Sequence, residues 1–490
     1  MLSAAATLGA RARAGAAGRR GLSAAAVSVQ EEIKMLENLL AEARARAEGK
    51  VPDAEAAAAA AGLRAGGKMP KFNIGTFNAI SAEGMAVFPQ SRYTAVAMAS
   101  PEAKKEEIHA VLLRSHKLQN SDVPDTVRAV ARCGSGVNNI DLAAMTERGI
   151  PVFNTPGANA NAVKELAVCA LLLASRGIIE GIEHQKKAMV QENNDAAKVK
   201  KRMEKEKAAF VGREVQGKKL GVIGLGHIGA SVANSAIALG MHVLGYDPSL
   251  SLDAAWRLPG DVLQRATSLK QLVHECDYIS LHVPYMKETH HLISGDLLKL
   301  MKPTCHVINF ARGELVDTQA MRNMYDSGDR TGRYIADFAD EFLHSHPKVV
   351  LMPHLGASTA EAEENAAAMA AKQVMEFIET GQIVNSVNFP QAKVERLAPD
   401  ARRICIVNKN VPGMLGLITS TLGRRGVNIA QIANTSRENI AYNIVDIANT
   451  LDDNALLSLQ EELSKLEGVV SSRVLGFGKP GMFRVNAANK

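Results

Sequence analysis

The strongest constraint on the fold is a glycine-rich turn between a strand pattern and a helix pattern. Residues 219–223 form a short apolar run typical of a buried strand, and a helical pattern continues to Gly240. Between them, Gly224, Gly226 and Gly229 have the G-x-G-x-x-G spacing. The first glycine permits a tight turn, the second lets the backbone approach a diphosphate, and the third lets strand and helix pack closely. The pattern predicts a dinucleotide site at a helix N-terminus in an α/β domain.

An acidic residue follows the next strand pattern. Residues 242–246 form a second apolar run, and it ends in Asp247, 18 residues after Gly229. A carboxylate at this place can accept both hydroxyls of the adenosine ribose, and it would repel a 2′-phosphate. The sequence therefore predicts NAD, rather than NADP, as the cofactor.

Length, composition and cysteine spacing limit the class of protein. The 490 residues are enough for about three domains, and no window approaches the roughly 18–20 uninterrupted apolar residues of a membrane helix. We expect no membrane insertion. The five cysteines are at least 29 positions apart, which predicts reduced, buried thiols rather than a zinc site or a redox pair.

Much of the net charge of +6 lies near the N-terminus. Arg11, Arg13, Arg19 and Arg20 occur in an alanine-, serine- and glycine-rich stretch with no acidic residue before Glu31. This composition predicts a transit peptide over residues 1–26, for the mitochondrion or alternatively for the plastid. A disordered Ala/Arg tail is the other interpretation. Residues 27–69 predict a short helix followed by a low-complexity linker.

Alternating strand and helix patterns from residue 70 onward predict parallel α/β sheets. Because the glycine motif lies near the middle of the chain, a second domain must precede it. A polar stretch at 391–402 predicts a linker to a final domain at 403–476. The basic run 193–207 has interleaved acids and no aromatic residues, so we interpret it as a solvated helix and expect no nucleic-acid partner.

Two polar residues follow apolar runs where parallel sheets place their ligands. His354 follows the run 349–353, and Arg312 follows the run 307–310. A histidine can take an alcohol proton near neutral pH if a carboxylate stabilises its charged form. Glu341 is the expected carboxylate, and a guanidinium at Arg312 can bind a substrate carboxylate through two hydrogen bonds. On spacing alone, the alternative for each of these three residues is an ordinary surface position without a catalytic role.

Several motifs together resemble one enzyme family. The glycine motif with Asp247, and residues 282–284, 309–317 and 353–359, resemble the D-isomer-specific 2-hydroxyacid dehydrogenases over about residues 71–390. The resemblance implies an Arg/Glu/His catalytic set at Arg312, Glu341 and His354. The residues around Glu341 depart from the family pattern, so Asp340 is an alternative.

The resemblance also implies a fold and a cofactor site. It implies two doubly wound parallel-sheet domains, a Rossmann nucleotide domain at 176–360 and a discontinuous flavodoxin-like substrate domain at 70–175 and 361–390. The implied NAD contacts are Gly224, Gly226, His227, Ile228, Gly229, Asp247, Val283, Pro284, Thr289, Phe310, Ala311, Arg312, Asp337, His354 and Gly356.

The expected activity is the oxidation of a 2-hydroxy acid, with 3-phosphoglycerate as the expected substrate. His354 would take the proton of the C2 hydroxyl while the C2 hydride leaves. Two alternatives remain: a reductase of unphosphorylated substrates such as glyoxylate or hydroxypyruvate, and an NAD-sensing corepressor without enzymatic activity. The resemblance implies substrate contacts from Arg114, Ser115, Gly134, Gly136 and Arg312, with Asn159 and Asn161 as weaker candidates.

The last domain has its own pattern, β-α-β-β-α-β, which predicts a ferredoxin-like fold and resembles the ACT amino-acid-binding domain. Asn410 and Asn428 match the expected effector contacts, with L-serine as the expected effector. Asn408 stands where serine-responsive relatives often have histidine, so a module for subunit association alone is the alternative. The resemblance implies a homo-oligomer, either a dimer or a tetramer.

Overall fold

The structure is a computed structural model. It describes residues 71–250, 255–256, 258–260, 263–395, 402–447 and 451–475, and the backbone of 483–485. The expected transit peptide at 1–26, the helix and linker at 27–69, and positions 396–401 of the linker at 391–402 lie outside the described residues. Within the described residues, no helix combines the length and the apolar character that a membrane crossing requires.

The first sheet has five parallel strands in the order β2-β1-β3-β4-β5. This is the doubly wound order of flavodoxin-like domains. All six residues of the central strand β3 are buried, as expected where helices cover both faces of a parallel sheet. The elements are β1 (Phe72–Thr76), α1 (Ala82–Met85), β2 (Tyr93–Ala97), β3 (Ile108–Leu113), β4 (Ala129–Arg132), α2 (Leu142–Glu147) and β5 (Val152–Phe153).

The second sheet has seven parallel strands in the order β12-β11-β10-β9-β6-β7-β8. The strand order reverses beside β6, and ligands of open α/β sheets bind at such a position. The elements are α3 (Ala160–Ser175), α4 (Ile178–Gln191), α5 (Ala196–Glu206), β6 (Lys219–Ile223), α6 (His227–Ala238), β7 (His242–Tyr246), β8 (Gln264–Arg265), α7 (Leu269–Glu275), β9 (Tyr278–Leu281), α8 (Gly295–Leu300), β10 (His306–Asn309), α9 (Thr318–Asp326), β11 (Tyr334–Ala336) and β12 (Val349–Leu351).

Two helices connect these sheets. Helix α10 (Ala360–Thr380) begins the segment 361–390 that the resemblance implies for the discontinuous domain; it returns to the first sheet and buries a stripe of alanines against it. Small side chains on this stripe let the helix approach the strands closely. Helix α3, which the predicted boundary at residue 175 assigns to the first domain, instead buries its apolar face against the second sheet.

The third sheet is antiparallel, with the order β14-β15-β13-β16-β17. Two helices accompany the first four strands in the order β-α-β-β-α-β, which confirms the predicted ACT-like fold. The elements are β13 (Arg402–Lys409), α11 (Met414–Arg424), β14 (Ile429–Arg437), β15 (Ile440–Ile447), α12 (Asp453–Ser464), β16 (Val469–Leu475) and β17 (Phe483–Val485).

One face of the third sheet packs directly on the C-terminal end of α10. The hydroxyl of Tyr442 donates to the carbonyl of Gly381 at 2.7 Å. The guanidinium of Arg473 donates to the carbonyl of Phe377 at 2.6 Å and lies 3.9 Å from the centre of its ring. These hydrogen bonds join strands β15 and β16 to backbone carbonyls at the C-terminal end of the helix. The ACT-like domain is therefore fixed to the same helix that covers the first sheet.

Two expectations about surface and burial can be compared with the structure. The basic run 193–207 contains α5, of which Val199 is the buried residue, so the solvated helix is confirmed. Cysteine burial was predicted for all five thiols, and this is wrong for Cys169, which is exposed. It lies on α3, on a side of the helix that the sheet does not cover.

Candidate active site

The glycine motif folds as its spacing predicts. Gly224 has φ 88°, a left-handed conformation that favours glycine. A Cβ on Gly229 would lie 1.9 Å from the carbonyl oxygen of Gly224, so only glycine lets the helix pack here. A Cβ on Gly226 would meet open space, so its backbone faces room for a ligand. His227 and Ile228 begin α6, whose N-terminus therefore points at the same space.

Asp247 is held against this turn. Its Oδ2 accepts the N–H of Leu225 at 2.8 Å, and its Oδ1 accepts the N–H of Ser249 at 2.9 Å. Each oxygen keeps a further lone pair that can accept a ribose hydroxyl. The position of these two acceptor oxygens thus fits the adenosine end of NAD.

The other predicted cofactor residues lie at the carboxyl ends of neighbouring strands of the second sheet. Parallel strands place these ends along one edge, so residues distant in sequence come together there. Thr289 is fixed in the segment after β9, because its hydroxyl donates to the carbonyl of Pro284 at 2.9 Å. By strand, these residues are Val283, Pro284 and Thr289 after β9, Phe310, Ala311 and Arg312 after β10, Asp337 after β11, and His354 and Gly356 after β12.

Asp337 is a buried carboxylate with unused hydrogen-bonding capacity. Its side chain is 1% exposed, and its Oδ2 accepts the N–H of Gly356 at 2.9 Å. Its Oδ1 is buried and has no partner within the described part of the chain. Burial raises the pKa of Asp337, and the N–H of Gly356 and the charge of His354 oppose that rise. An amide donor of a bound nicotinamide would satisfy the free oxygen, so this residue also fits the cofactor.

Arg312 and His354 both lie at this edge of the sheet. The carbonyl of Arg312 accepts an amide hydrogen of Asn309 at 2.8 Å, which fixes the turn after β10. The exposed ring of His354 meets Phe338 edge to face, with 5.6 Å between the ring centres. Both side chains are therefore available to a ligand in front of the second sheet.

The two carboxylates expected behind His354 have other surroundings. Asp340 Oδ1 accepts the N–H groups of Phe342 and Leu343 at 2.9 and 2.8 Å, so this side chain caps a turn. Glu341 is exposed. Across the described residues, no hydrogen bond or ion pair joins either carboxylate to the His354 ring. The charge of His354 opposes the raised pKa of Asp337, and among the described residues no hydrogen bond or ion pair joins these two side chains either.

A cavity of about 260 Å³ connects the first sheet with His354. The chain brings several distant predicted residues together here, because β3, β4, the loop after β12 and α10 all contribute to the walls. Asn161 is separate, since its side chain bonds Glu165 within α3. The lining includes the predicted residues Arg114, Ser115, Gly134, Asn159 and His354, and in addition Ser81, Arg132, Ser358 and Glu363.

Arg132 is a cationic residue of this cavity that the sequence reasoning missed. A Cβ on Gly134, which has φ 147°, would lie 1.6 Å from an Arg132 Nη1, so the glycine leaves room for the guanidinium. Arg132 Nε donates to the carbonyl of Arg114 at 3.2 Å. Burial is the largest influence on Arg132 and lowers its pKa, and the positive charges of Arg114 and Arg312 lower it further. The charges of Arg114 and Arg312 therefore both act on Arg132.

Gly136 lies between the cavity and Arg312. A Cβ on Gly136 would lie 3.2 Å from Arg312 Nη2, so glycine keeps this approach open. The predicted substrate residues thus form one continuous group from Arg114 to Arg312. A signal for Arg132 was present in the sequence: it ends strand β4 immediately before the Cys133-Gly134 turn, as Arg114 follows β3.

A second, larger cavity lies elsewhere, between residues 385–391 and the end of β14 at Thr435, Ser436 and Arg437. Its volume is about 580 Å³. Its lining includes no histidine among the described residues, so it does not fit proton transfer from an alcohol. Size alone therefore does not identify the active site, and the smaller cavity has the appropriate chemistry.

The two predicted effector residues lie at opposite ends of the third sheet. The N–H of Asn410 bonds the carbonyl of Asn439 beside the start of β15, whereas Asn428 precedes Ile429, which pairs with Ile447 at its end. They are separated by roughly 24 Å, the length of an eight-residue strand. One small ligand cannot touch both within a single chain.

The fold and the site are those of an NAD-binding dehydrogenase with a cavity that two arginines line. The family profile "D-isomer specific 2-hydroxyacid dehydrogenase, NAD binding domain" matches residues 172–356. The D-3-phosphoglycerate dehydrogenase of Haemophilus influenzae is 31% identical over 383 residues, which cover 76% of this chain and 87% of that protein. The chain belongs to the D-isomer-specific 2-hydroxyacid dehydrogenases and is an NAD-dependent oxidoreductase.

Other relatives agree with this assignment. The D-3-phosphoglycerate dehydrogenase of Dictyostelium discoideum is 30% identical over 386 residues, covering 76% of this chain and 88% of that protein. Among solved structures, the NAD⁺-bound 3-phosphoglycerate dehydrogenase of Entamoeba histolytica superposes with a TM-score of 0.51 at 24% identity, covering 65% of this chain and 99% of that one. The similarity to the Entamoeba histolytica structure supports the fold alone.

Proposed function

We propose that the protein oxidises 3-phospho-D-glycerate to 3-phosphohydroxypyruvate with NAD, the first step of the phosphorylated route to L-serine. The observation that carries this proposal is the pair Arg114 and Arg132 in the cavity that also contains His354. Two guanidinium groups suit a phosphate, because each can donate two parallel hydrogen bonds. The relatives' printed names support the same substrate.

In the proposed binding mode, the two charged ends of the substrate meet different arginines. Arg114 and Arg132 hold the phosphate, and Arg312 holds the carboxylate and stabilises negative charge developing on the C2 oxygen. These interactions leave C2 between the cavity and the second sheet. Fixed donors of this kind orient the substrate before reaction, which contributes to the rate.

His354 then takes the proton of the C2 hydroxyl. NAD, when bound, accepts the hydride from C2. Phe338 packs edge to face against the His354 ring, with 5.6 Å between the ring centres, and so lies beside the proposed base. Proton removal by the chain and hydride loss from C2 together convert the alcohol to a ketone.

The carboxylate that supports His354 is a separate part of the proposal. Glu341 is the residue implied by the family resemblance, with Asp340 as its alternative. The charge of His354 opposes the burial-raised pKa of Asp337, whereas Asp340 is occupied by backbone donors. We therefore favour Asp337. Neutral variants of the three acids distinguish them, since the supporting carboxylate is the one whose loss displaces the pH profile of kcat/KM.

The direct test of the proposed function is NADH formation from 3-phosphoglycerate, with the ketone product trapped by hydrazine because the oxidation is expected to run uphill. D-Glycerate at the same concentrations is the comparison substrate. We expect clear turnover of the phosphorylated acid and weak turnover of D-glycerate. Equal rates on both, or a preference for glyoxylate or hydroxypyruvate in the reverse direction, would instead favour a reductase of unphosphorylated substrates.

We also propose that L-serine binds between ACT-like domains of two copies in a homo-oligomer. Support comes from the positions of Asn410 and Asn428. Because they lie at opposite ends of the sheet, one small ligand can touch both positions only if the two residues come from different chains. Calorimetric titration with L-serine tests this, with inhibition of turnover as a second readout. No binding heat and no inhibition would leave the domain a role in subunit association alone.

Import into the mitochondrion, or alternatively the plastid, remains a proposal based on residues 1–26. Its test is the location of the full chain with a C-terminal fluorescent tag, compared with a variant in which Arg19 and Arg20 are alanine. We expect the tagged protein in the organelle and the variant retained in the cytosol. Cytosolic fluorescence from both would refute it.

A further inference from the structure

A negatively charged residue lies inside the cationic cavity. Glu363, in the first turn of α10, has its Oε1 2.6 Å from Arg114 Nη2. Both side chains line the cavity, and they are 39% and 40% exposed. Arg114 is thus paired with a carboxylate. It is one of the two arginines proposed to bind the substrate phosphate, so this ion pair needs a physical explanation.

The ion pair balances charge in the cavity. Arg114 and Arg132 both line it, and burial lowers the pKa of Arg132, which the charges of Arg114 and Arg312 lower further. A carboxylate beside Arg114 offsets this repulsion. The N-terminus of α10 also favours negative charge at Glu363. These interactions therefore stabilise the Glu363 side chain beside Arg114.

An incoming anion must compete with this carboxylate. To use Arg114 fully, the anion replaces one hydrogen bond of Glu363 and then lies near its charge, which repels it. A substrate with a second anionic group gains a further contact at Arg312, whereas an isolated phosphate has no such contact. Repulsive elements of this kind raise specificity by weakening the wrong ligand more than the right one.

We propose that Glu363 is a specificity-determining residue that acts as the resident counter-anion of Arg114. It is displaced by a phosphorylated 2-hydroxy acid, and it excludes inorganic phosphate. This inference rests on the proposed function for the identity of the substrate. Glu363 acts through Arg114 and has no part in the proton transfer at His354.

The test compares Glu363→Gln with the matched control Glu361→Gln. Both acids lie in the first turn of α10, so each variant removes one negative charge from the same helix end. Glu361 is exposed and does not line the cavity. Glutamine keeps the size of the side chain, and Glu363→Ala is a second variant if the glutamine still holds Arg114.

Inorganic phosphate is the probe, by calorimetry and as a competitive inhibitor of turnover. We expect Glu363→Gln to bind phosphate about ten-fold more tightly, as removal of one charge near a dianion implies. We expect KM for 3-phosphoglycerate to fall about five-fold, with kcat within about two-fold of the wild type, because the reacting C2 is remote from Glu363. Glu361→Gln should match the wild type in all three.

The outcomes separate this inference from the proposed function. Unchanged or weaker phosphate binding in both Glu363 variants overturns the inference, and so does an equal gain in Glu361→Gln, which would indicate a general effect of charge. If the wild type does not oxidise 3-phosphoglycerate but Glu363→Gln still gains phosphate affinity, the proposed function fails and the counter-anion role stands.

Discussion

Replacing Arg132 with methionine tests the substrate cavity most specifically. Methionine keeps much of the side-chain volume and removes the charge. In the substrate-free protein, burial and two neighbouring arginines already disfavour the Arg132 cation, as its lowered pKa shows. We therefore expect little loss of folding stability from Arg132→Met, and the effect should appear when substrate binds.

The magnitude follows from the hydrogen bonds that the guanidinium can donate. A hydrogen bond to a charged group contributes about 1.5–3 kcal/mol. Arg132 is partly exposed, so the lower part of this range applies. A loss of about 1.5–2.5 kcal/mol corresponds to a fall in kcat/KM of roughly 10- to 70-fold. Most of this should appear in KM, because the phosphate is remote from the reacting carbon.

The assay is the initial rate of NADH formation at saturating NAD, with 3-phosphoglycerate and D-glycerate as parallel substrates. We expect the variant to lose activity on the phosphorylated acid and to change little on D-glycerate, which has no phosphate to hold. Thermal unfolding checks that the variant is folded. An equal loss on both substrates would refute the assignment of Arg132 to the phosphate.

Three further predictions concern the cofactor site, the buried carboxylate and a buried ion pair in the third sheet. Asp247→Asn keeps one acceptor oxygen, replaces the other by an NH2 donor and removes the charge, so steady-state kinetics should show the preference for NAD over NADP falling about ten-fold or more; an unchanged preference would contradict the role of Asp247. Burial raises the folded-state pKa of Asp337, so its contribution to stability is greatest below its unfolded value of about 3.9 and is lost as pH rises through the folded value. Relative to the wild type, Asp337→Asn should therefore raise Tm more at pH 7 than at pH 4, while turnover falls. A Tm below that of the wild type at pH 7, but not at pH 4, would contradict this. Arg403 and Asp446 form an ion pair at 2.7 Å with side chains 1% and 0% exposed, so Arg403→Met should lower the free energy of unfolding by about 3–5 kcal/mol in denaturant titrations, and Arg403→Met with Asp446→Leu by less.

The local parts of the site could be predicted because their causes are local. A strand, a G-x-G-x-x-G turn and a helix N-terminus are contiguous in sequence, and Asp247 ends the next strand. Gly224 and Gly229 have the conformation and the close packing that the motif requires. The same reasoning located Arg312 and His354, because each follows an apolar run whose end faces the ligand edge of a parallel sheet.

The remainder depends on contacts between distant segments. Glu363 reaches Arg114 only because α10 returns across the first sheet, and no local pattern indicates this pairing. Strand β14 is an edge strand with half-exposed and polar residues, so it lacks the continuous apolar run from which a strand is predicted. The buried face around Tyr442 resembles any apolar face in sequence, so its partner, the end of α10, could not be named.

The central claim is that this chain uses its arginine cavity to select a phosphorylated substrate. The most direct measurement is the ratio of kcat/KM for 3-phosphohydroxypyruvate to that for hydroxypyruvate, with NADH, in the favourable direction of the reaction. Two guanidinium groups on the phosphate predict a ratio on the order of 100 or more. A ratio near one would show that the cavity does not recognise the phosphate, and would contradict the claim.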